Sequence, residues 1–339
     1  MTVSREFVEA VYRALLGRAP ENDEVVENAM HVADESAYLA SVLGGPEFRL
    51  RHPGLVAQSQ AWVWAEAGED FILRVNLADH AIAWPAIEGH FEIAETAFIR
   101  SSVPPGARVM DVGANVGHHT MLMASIVGAQ GRVLSFEPLP HLFEALRMSI
   151  ERNGFGDIVA AHRIALSDRA GEIDMHFATR TDNWGGGRLV GDTGVRAGET
   201  RLAVPTLAMD ALELEHLDFI KIDIEGAEPR AIEGGRELIG RTRPIVLSEL
   251  HAPGLASVSQ STPDAYAGLF AQLGYRCHTL GRDGRLGELR RAGDDTELQN
   301  VVFIPDEFGS IAERHARMMA GRAGSPARGR MDDKIEVMN

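Results

Sequence analysis

The chain has 339 residues, 45% of them hydrophobic, and a formal net charge of −16 at pH 7. That length and apolar fraction suffice for one large and one small domain with a packed core. The acidic balance argues against broad phosphate-backbone binding, no apolar run is long enough to cross a bilayer, and the lone Cys277 excludes an intramolecular disulfide or a multi-cysteine metal site. Cys277 reads as an ordinary half-buried thiol in a reducing compartment. Met1 is followed by Ser4, Arg5 and Glu6 rather than by a basic start and an apolar core, so a cytoplasmic protein is expected.

The first fifty residues read as helices. Phe7, Val8, Val11, Tyr12, Leu15 and Leu16 fall on one apolar stripe, which Gly17 breaks. Pro20 with Glu21, Asp23 and Glu24 opens a second helix, and Tyr38, Leu39, Val42 and Leu43 mark a third that ends near Gly44-Gly45-Pro46. On the residues alone, 1–52 fit a packing cap. The run Tyr12 to Pro20, with Pro46-Glu47-Phe48, also resembles a small helical domain of unknown function found in bacterial proteins, which implies a docking or substrate-presenting accessory. Residues 53–100 read as a linker and preface. There Phe71 to Val75 is expected to pair with Ala81 to Trp84 as a hairpin, and Glu92 to Ser101 to form a helix ahead of Pro104-Pro105.

From residue 101 the chain alternates strands and helices, as a doubly wound sheet does. Val109 to Gly117 carries the most chemistry: an apolar strand ends in Asp111 and runs through Gly113, Asn115 and Gly117 into a helix. Glycine there takes positive φ and lets backbone approach a ligand. Dinucleotide sites use G-x-G-x-x-G, but here Asn115 stands where the second glycine belongs, so a pyrophosphate fits poorly. A ligand with an amino acid end suits the turn better, since Asp111 can bind an ammonium and the turn amides a carboxylate. S-adenosylmethionine has both. Glu137 follows the strand Arg132 to Phe136, 20 residues past Gly117, where a carboxylate accepts both ribose hydroxyls; it also suits capping of the helix that opens at Pro138.

Leu142, Phe143, Leu146 and Ile150 then give a helix that stops at Asn153-Gly154, and Val159 to Arg163 a third strand. Beyond it Ser167 and Asp168 follow Ala165-Leu166, with Asp168 either an acceptor for an adenine amino group or a loop cap. Residues 180–200 are a glycine-rich excursion on the substrate side, in which Trp184 either stacks on a sugar ring or anchors the loop. A fourth strand, Asp218 to Asp223, places Lys221, Asp223 and Glu225 on one side, and a fifth, Pro244 to Ser248, brings Glu249 and His251 to the neighbouring edge. Asp223 and His251 are candidate general bases; Lys221, Glu225, Glu228 and Glu249 either orient them or form a structural ion-pair network. No spacing fixes a metal geometry, although Asp223 and Glu249 are the carboxylates available to a divalent cation. A helix from Pro263 to Leu273 and an antiparallel pair, Tyr275 to Leu280 and Gln299 to Pro305, complete the unit at 101–309, and 310–339 reads as a flexible tail.

From about residue 70 to about 306 these motifs, in this order, resemble the FkbM-type methyltransferase family. They are Gly89-His90-Phe91-Glu92, the Asp111 to Gly117 turn, Phe136-Glu137-Pro138, Ala165-Leu166-Ser167-Asp168, Asn183-Trp184-Gly185-Gly186, Leu207-Ala208-Met209-Asp210, Phe219 to Glu228 and Glu249-Leu250-His251. The resemblance implies an α/β fold, a Rossmann-like doubly wound class I methyltransferase sheet behind a small all-α domain. It further implies S-adenosylmethionine-dependent methylation of a hydroxyl on a sugar or natural product. The helix after Glu92 would then lie over the cofactor, with Glu92 a cofactor-side carboxylate or simply a solvated acid. The cofactor set becomes Glu92, Asp111, Gly113, Asn115, Gly117, Glu137, Pro138, Ser167, Asp168 and Asp223, and the substrate set Asn183, Trp184 and Glu225. The expected partner is a hydroxylated acceptor, most simply a sugar unit, with no nucleic acid; an oligomer stays open. Polyketide, lipid or other small-molecule methylation, a non-catalytic S-adenosylmethionine-binding scaffold and an NAD-dependent dehydrogenase are the alternatives. Phe91 and His118-His119 depart from aromatic residues common in the family.

Overall fold

The computed structural model describes residues 3–32, 34–51, 62–67, 71–79, 81–178, 188–189, 199–294 and 298–308. Near the N-terminus, helices span Arg5–Val11, Asp23–Met30, Glu35–Gly44 and Pro46–Arg51. Ser4, Asn22 and Asp34 start the first three by accepting the backbone N–H of Phe7, Val25 and Ala37, which satisfies a donor the helix cannot. The first continues as a π turn, Tyr12–Leu16, and stops where Gly17 adopts φ 62°. Val3, Val8, Val11, Val26, Ala29 and Tyr38 form a small core of their own, and the charged groups stay outside it: Arg18 bridges Glu21 and Glu47.

Strands β1 (Trp62–Glu66) and β2 (Ile72–Asn76) form an antiparallel pair. This corrects the expected hairpin between Phe71–Val75 and Ala81–Trp84: the latter leads into a short helix, Ala83–Ile87. Pro85 lies in that helix's first turn, where its missing N–H is harmless, whereas a ladder would lose a donor there. The upstream strand instead covers Leu73 and Val75, both fully buried. A helix follows at Ile93–Ser102.

The main sheet has eight strands in the order β13-β12-β14-β11-β10-β3-β4-β5. They are β3 (Arg108–Val112), β4 (Arg132–Phe136), β5 (Val159–His162), β10 (Phe219–Ile222), β11 (Ile245–Leu250), β12 (Tyr275–Leu280), β13 (Leu286–Leu289) and β14 (Gln299–Pro305). The five from β5 to β11 are parallel, and β14 runs antiparallel to both β11 and β12. The segment between β12 and β14 supplies the edge strand β13. This is a doubly wound sheet, with the chain leaving β3 toward β5 on one side and returning through β10 and β11 on the other. Its topological switch point lies between β3 and β10, where ligands of such sheets bind at the carboxyl ends of the strands.

Helices cover both faces, so the parallel strands are apolar on both sides, and their alternation divides the core into two layers. Val109, Val133 and Phe219 join one layer; Met110, Leu134 and Ile220 join the other. A second sheet, β6-β9-β7-β8, is made of β6 (Ala165–Leu166), β9 (Glu199–Leu207), β7 (Gly171–Ala178) and β8 (Arg188–Leu189).

Candidate functional site

Within the apolar sheet one row is polar. Lys221 of β10 pairs with Asp111 of β3, which pairs with Ser135 of β4. Thr120, from the helix His118–Val127 above them, donates to Asp111 Oδ2 at 2.6 Å and lies 2.8 Å from Ser135 Oγ. Among the described residues Asp111 Oδ1 has no hydrogen-bond partner, although Asp111 is 1% exposed. Burial raises the Asp111 pKa, against the pull of Lys221 and Thr120. A buried carboxylate oxygen left unpaired is costly, and a donor arriving from a ligand relieves that cost.

At the carboxyl ends of β3, β4 and β10 a cavity of about 210 Å³ opens between the glycine turn, the Glu92 segment, Met175 of β7 and the loop Asp223 to Glu225. Gly113 cannot be replaced without moving that loop: a Cβ there would sit 2.0 Å from the Asp223 carbonyl oxygen, and its φ is 83°. At Gly117, φ 98°, a Cβ would meet Leu146 Cδ1 at 2.6 Å. Glu92, Asn115 and Glu225 border the cavity in left-handed backbone conformations, φ 42°, 52° and 57°. Such conformations cost about 1 to 3 kcal/mol each and collect at functional sites. Glu137 holds Asn115 in place. Its Oε2 accepts the Asn115 N–H at 2.9 Å and its Oε1 the Leu139 N–H at 2.8 Å, just before the helix Pro140–Arg152. It therefore caps the chain and lines the cavity at once.

Lys221 Nζ lies 3.1 Å from Asp223 Oδ2. Burial disfavours the ammonium, but Asp223, Glu92 and Asp111 outweigh that and raise its pKa. Several carboxyls around it are raised from their ordinary values too, which in their case disfavours the charged form. Burial raises Glu92 to about 8, with Asp223 and Glu95 adding to it against Lys221. Glu225 rises to about 7 through burial and Asp223, and Glu249 to about 8 through burial, Asp223 and Glu225. Glu137 and Glu228 rise to about 7, chiefly through burial. Glu228 Oε1 accepts the Ile224 N–H at 2.8 Å and so fixes the loop that carries Asp223.

The cavity thus gathers Glu92, Gly113, Asn115, Glu137, Pro138, Lys221, Asp223 and Glu225. Asp111 lies behind the wall rather than on it. Glu249 and His251 stand back from the cavity as well. The loop after Glu225 packs closely on the helix that follows His251: a Cβ on Gly226 would meet Gly254 at 2.3 Å, and one on Gly254 would meet His251 Nδ1 at 3.0 Å. A smaller apolar recess adjoins the cavity through Gly113, Pro138, Met175 and Ile224 and reaches Ile164, Ala165 and Leu166. Ser167 and Asp168 follow directly and line neither space; Ser167 Oγ donates to Asp168 Oδ1 at 3.1 Å, and Asp168 pairs with Arg169. Asn183 and Trp184 lie outside the described residues. Among the described residues no group of three or more His, Cys, Asp or Glu side chains is placed to hold a metal ion.

Two residues of the site were absent from the expected set. His118 and His119 open the helix after Gly117 and line the cavity at 8% and 4% exposure. His119 Nε2 lies 3.4 Å from Glu92 Oε2, and His118 packs edge-on against Phe71 and Phe91. Burial, then Lys221, lowers both pKa values, His118 to about 4. The signal was available: two imidazoles in the first turn of the helix that the glycine turn starts.

S-adenosylmethionine fits these residues. The glycine turn leaves room for backbone contact, Asp111 Oδ1 lacks a partner, and the walls carry carboxylates for a sulfonium and an ammonium.

Comparison with known proteins gives the same direction. Residues 111–277 match the methyltransferase FkbM domain. A 72-residue stretch is 40% identical to the protein-L-isoaspartate O-methyltransferase of Aeropyrum pernix, covering 21% of this chain and 26% of that protein. A 53-residue stretch is 38% identical to the corresponding protein of Methanothrix thermoacetophila, covering 16% and 25%. The chain therefore spans about a quarter of the length of these curated relatives. Among solved structures, methyltransferase FkbM from Methylobacillus flagellatus aligns over 76% of this chain and 59% of its own, at 14% identity and a TM-score of 0.39. Aeropyrum pernix fibrillarin, solved with S-adenosylmethionine bound, aligns over 62% and 72%, at 12% identity and 0.36.

Proposed function

We propose, for a chain that carries an FkbM methyltransferase domain at residues 111–277 and uses S-adenosylmethionine, that it methylates a hydroxyl group, with a sugar unit as acceptor. The observation that carries this reading is the meeting of Gly113 and Asp223 backbone to backbone, which sets the glycine turn and a paired carboxylate on one cavity. When bound, the cofactor supplies an electrophilic methyl group on a sulfonium. The chain's part is to hold its adenosine end at Glu137, Pro138 and the apolar recess, with Ser167 and Asp168 at the adenine edge. The amino acid end is assigned to Glu92, Asp111, Gly113, Asn115 and Gly117.

Methyl transfer is an in-line displacement, so most of the gain comes from holding an acceptor oxygen against the methyl, with a base to take its proton. Asp223 is assigned the base, oriented by Lys221 at 3.1 Å. Glu249 and His251 act from behind the wall, through the Glu225–Gly226 loop, on an acceptor held at Glu225. Residues 1–52 are assigned as the accessory unit that presents the acceptor, 53–100 as the preface and 101–309 as the catalytic unit. The test is incubation with isotopically labelled S-adenosylmethionine and fractionated glycans and metabolites. Label in an alkali-stable methyl ether of a sugar supports the reading; label on nitrogen or on a carboxylate overturns it.

A further inference from the structure

Two buried imidazoles of the cavity take no part in the chemistry assigned so far. His118 and His119 occupy the first turn of the helix after Gly117, and both line the cavity. Among the described residues His119 Nε2 has no hydrogen-bond partner, although His119 is 4% exposed. What it faces is Glu92. Oε2 of that carboxyl lies 3.4 Å away, inside ion-pair reach but beyond an ordinary hydrogen bond. Glu92 stands at the N-cap of the helix Ile93–Ser102, where an acid ordinarily accepts a backbone N–H, yet its side chain makes no such bond. It lines the cavity instead, at 30% side-chain exposure, and the imidazole is the covered member of the pair. An unpaired buried polar atom is costly, so the open place at Nε2 points to a charge that forms on Glu92 when a ligand arrives.

We propose that His119 is a positioning residue for the amino acid end of the cofactor: its Nε2–H holds the Glu92 carboxylate while that carboxylate accepts the cofactor's ammonium. The proposal rests on the assignment of Glu92 to that end and is independent of the acceptor. Burial, then Lys221, keeps the imidazole neutral, and the helix N-terminus acts in the same sense. A neutral ring donates from Nε2 without setting a second cation beside the ammonium. Glu92, raised to about 8 chiefly by burial, is mostly protonated at neutral pH in the free chain. The arriving ammonium drives that proton off to solvent, and the new anion draws in the Nε2–H. The other titratable groups facing the pair are Lys221 and Asp223 at the end of β10, Asp111 of β3, Glu95 of the helix Ile93–Ser102, and His118. Lys221 is engaged with Asp223, and His118 Nε2 lies 3.3 Å from Thr96 Oγ1, which leaves His119 to serve Glu92.

Calorimetric titration of the full chain in two buffers of different ionisation enthalpy separates this role from a structural one. The ligands are S-adenosylhomocysteine and 5′-methylthioadenosine, a nucleoside thioether without the amino acid end. At pH 7 S-adenosylhomocysteine is expected to release about one proton more than methylthioadenosine, and Glu92→Gln to abolish the excess. His119→Phe keeps an aromatic ring without the donor; it should weaken S-adenosylhomocysteine about tenfold and leave methylthioadenosine unchanged. His119→Gln, which restores an N–H, should recover most of that loss, and adding His119→Phe to Glu92→Gln should cost little further. An equal loss for both ligands, no loss for either, no recovery in His119→Gln, or additive costs in the double variant overturns the role of His119. If Glu92→Gln leaves both affinity and proton release unchanged, the assignment of Glu92 to the amino acid end fails and the inference falls with it.

Discussion

The N-terminal helices and the carboxyl edge of the main sheet handle charge in opposite ways. Around Arg18 the acids Glu21 and Glu47 sit at the surface over an apolar core of Val3, Val8, Val11, Val26, Ala29 and Tyr38, so polarity and packing are kept apart. At the ends of β3 and β10 the reverse holds: Asp111 and Lys221 lie inside the sheet at 1% and 7% exposure, and Glu137 at 5%. Surface pairs contribute little and are replaceable, whereas buried ones are costly and persist where a ligand completes them. In the first region charge is kept out of the core, and in the second it is built into it.

The sharpest way to break this contrast is Asp223→Asn. Loss of a true base lowers turnover by about 10² to 10⁴, with S-adenosylmethionine affinity nearly kept and partial rescue as pH rises. Full activity would return the Lys221–Asp223 pair to a structural role. Next comes Gly113→Ala, which drives a Cβ into the Asp223 carbonyl and is expected to cost about 2 to 5 kcal/mol of folding free energy in denaturant titration. Asp111→Ala and Glu137→Ala should each weaken cofactor binding about tenfold or more by calorimetry, as loss of a charge-assisted bond does.

A smaller effect lies in the pH dependence of stability without ligand. Glu92 and Glu249 titrate near 8 in the fold and near the ordinary carboxyl value when unfolded, so the folded state keeps protons that the unfolded chain releases. Stability from this source is lost as pH rises toward 8. His118 and His119, with lowered values, act in the opposite sense only below about 6.5, so the window from pH 6.5 to 8 isolates the acids. Thermal unfolding midpoints should fall across it by about 2 to 4 °C, and Glu249→Gln should flatten the fall. The smallest effect is the control: Val8→Asp, at a fully buried position in the helical core, should unfold residues 3–51 yet leave S-adenosylmethionine affinity unchanged.

Sequence legibility follows the same division. Strand β3, the glycine turn and Glu137 were readable because each is a local pattern: an apolar run, a special φ, an acid at a strand end. The hairpin failed because pairing is not local; Phe71 to Val75 has the right composition for either neighbour, and Pro85 was the residue that argued against the downstream one. Asp111 was singled out from the turn, yet its place behind the wall depends on Thr120 and Lys221, which are 9 and 110 positions away. His118 and His119 were noticed only as departures, since nothing in the sequence states that Glu92 returns to meet His119.

The row Lys221, Asp111, Ser135 also bears on how the chain finds its fold. A slip of β10 by one position would swap Lys221 with Ile220 or Ile222, turning an ammonium into the layer occupied by Met110, Leu134 and Val246 with no acid to receive it. Apolar strands alone would tolerate several alignments of nearly equal energy. The charges that serve the cavity therefore also fix the register in which the sheet pairs.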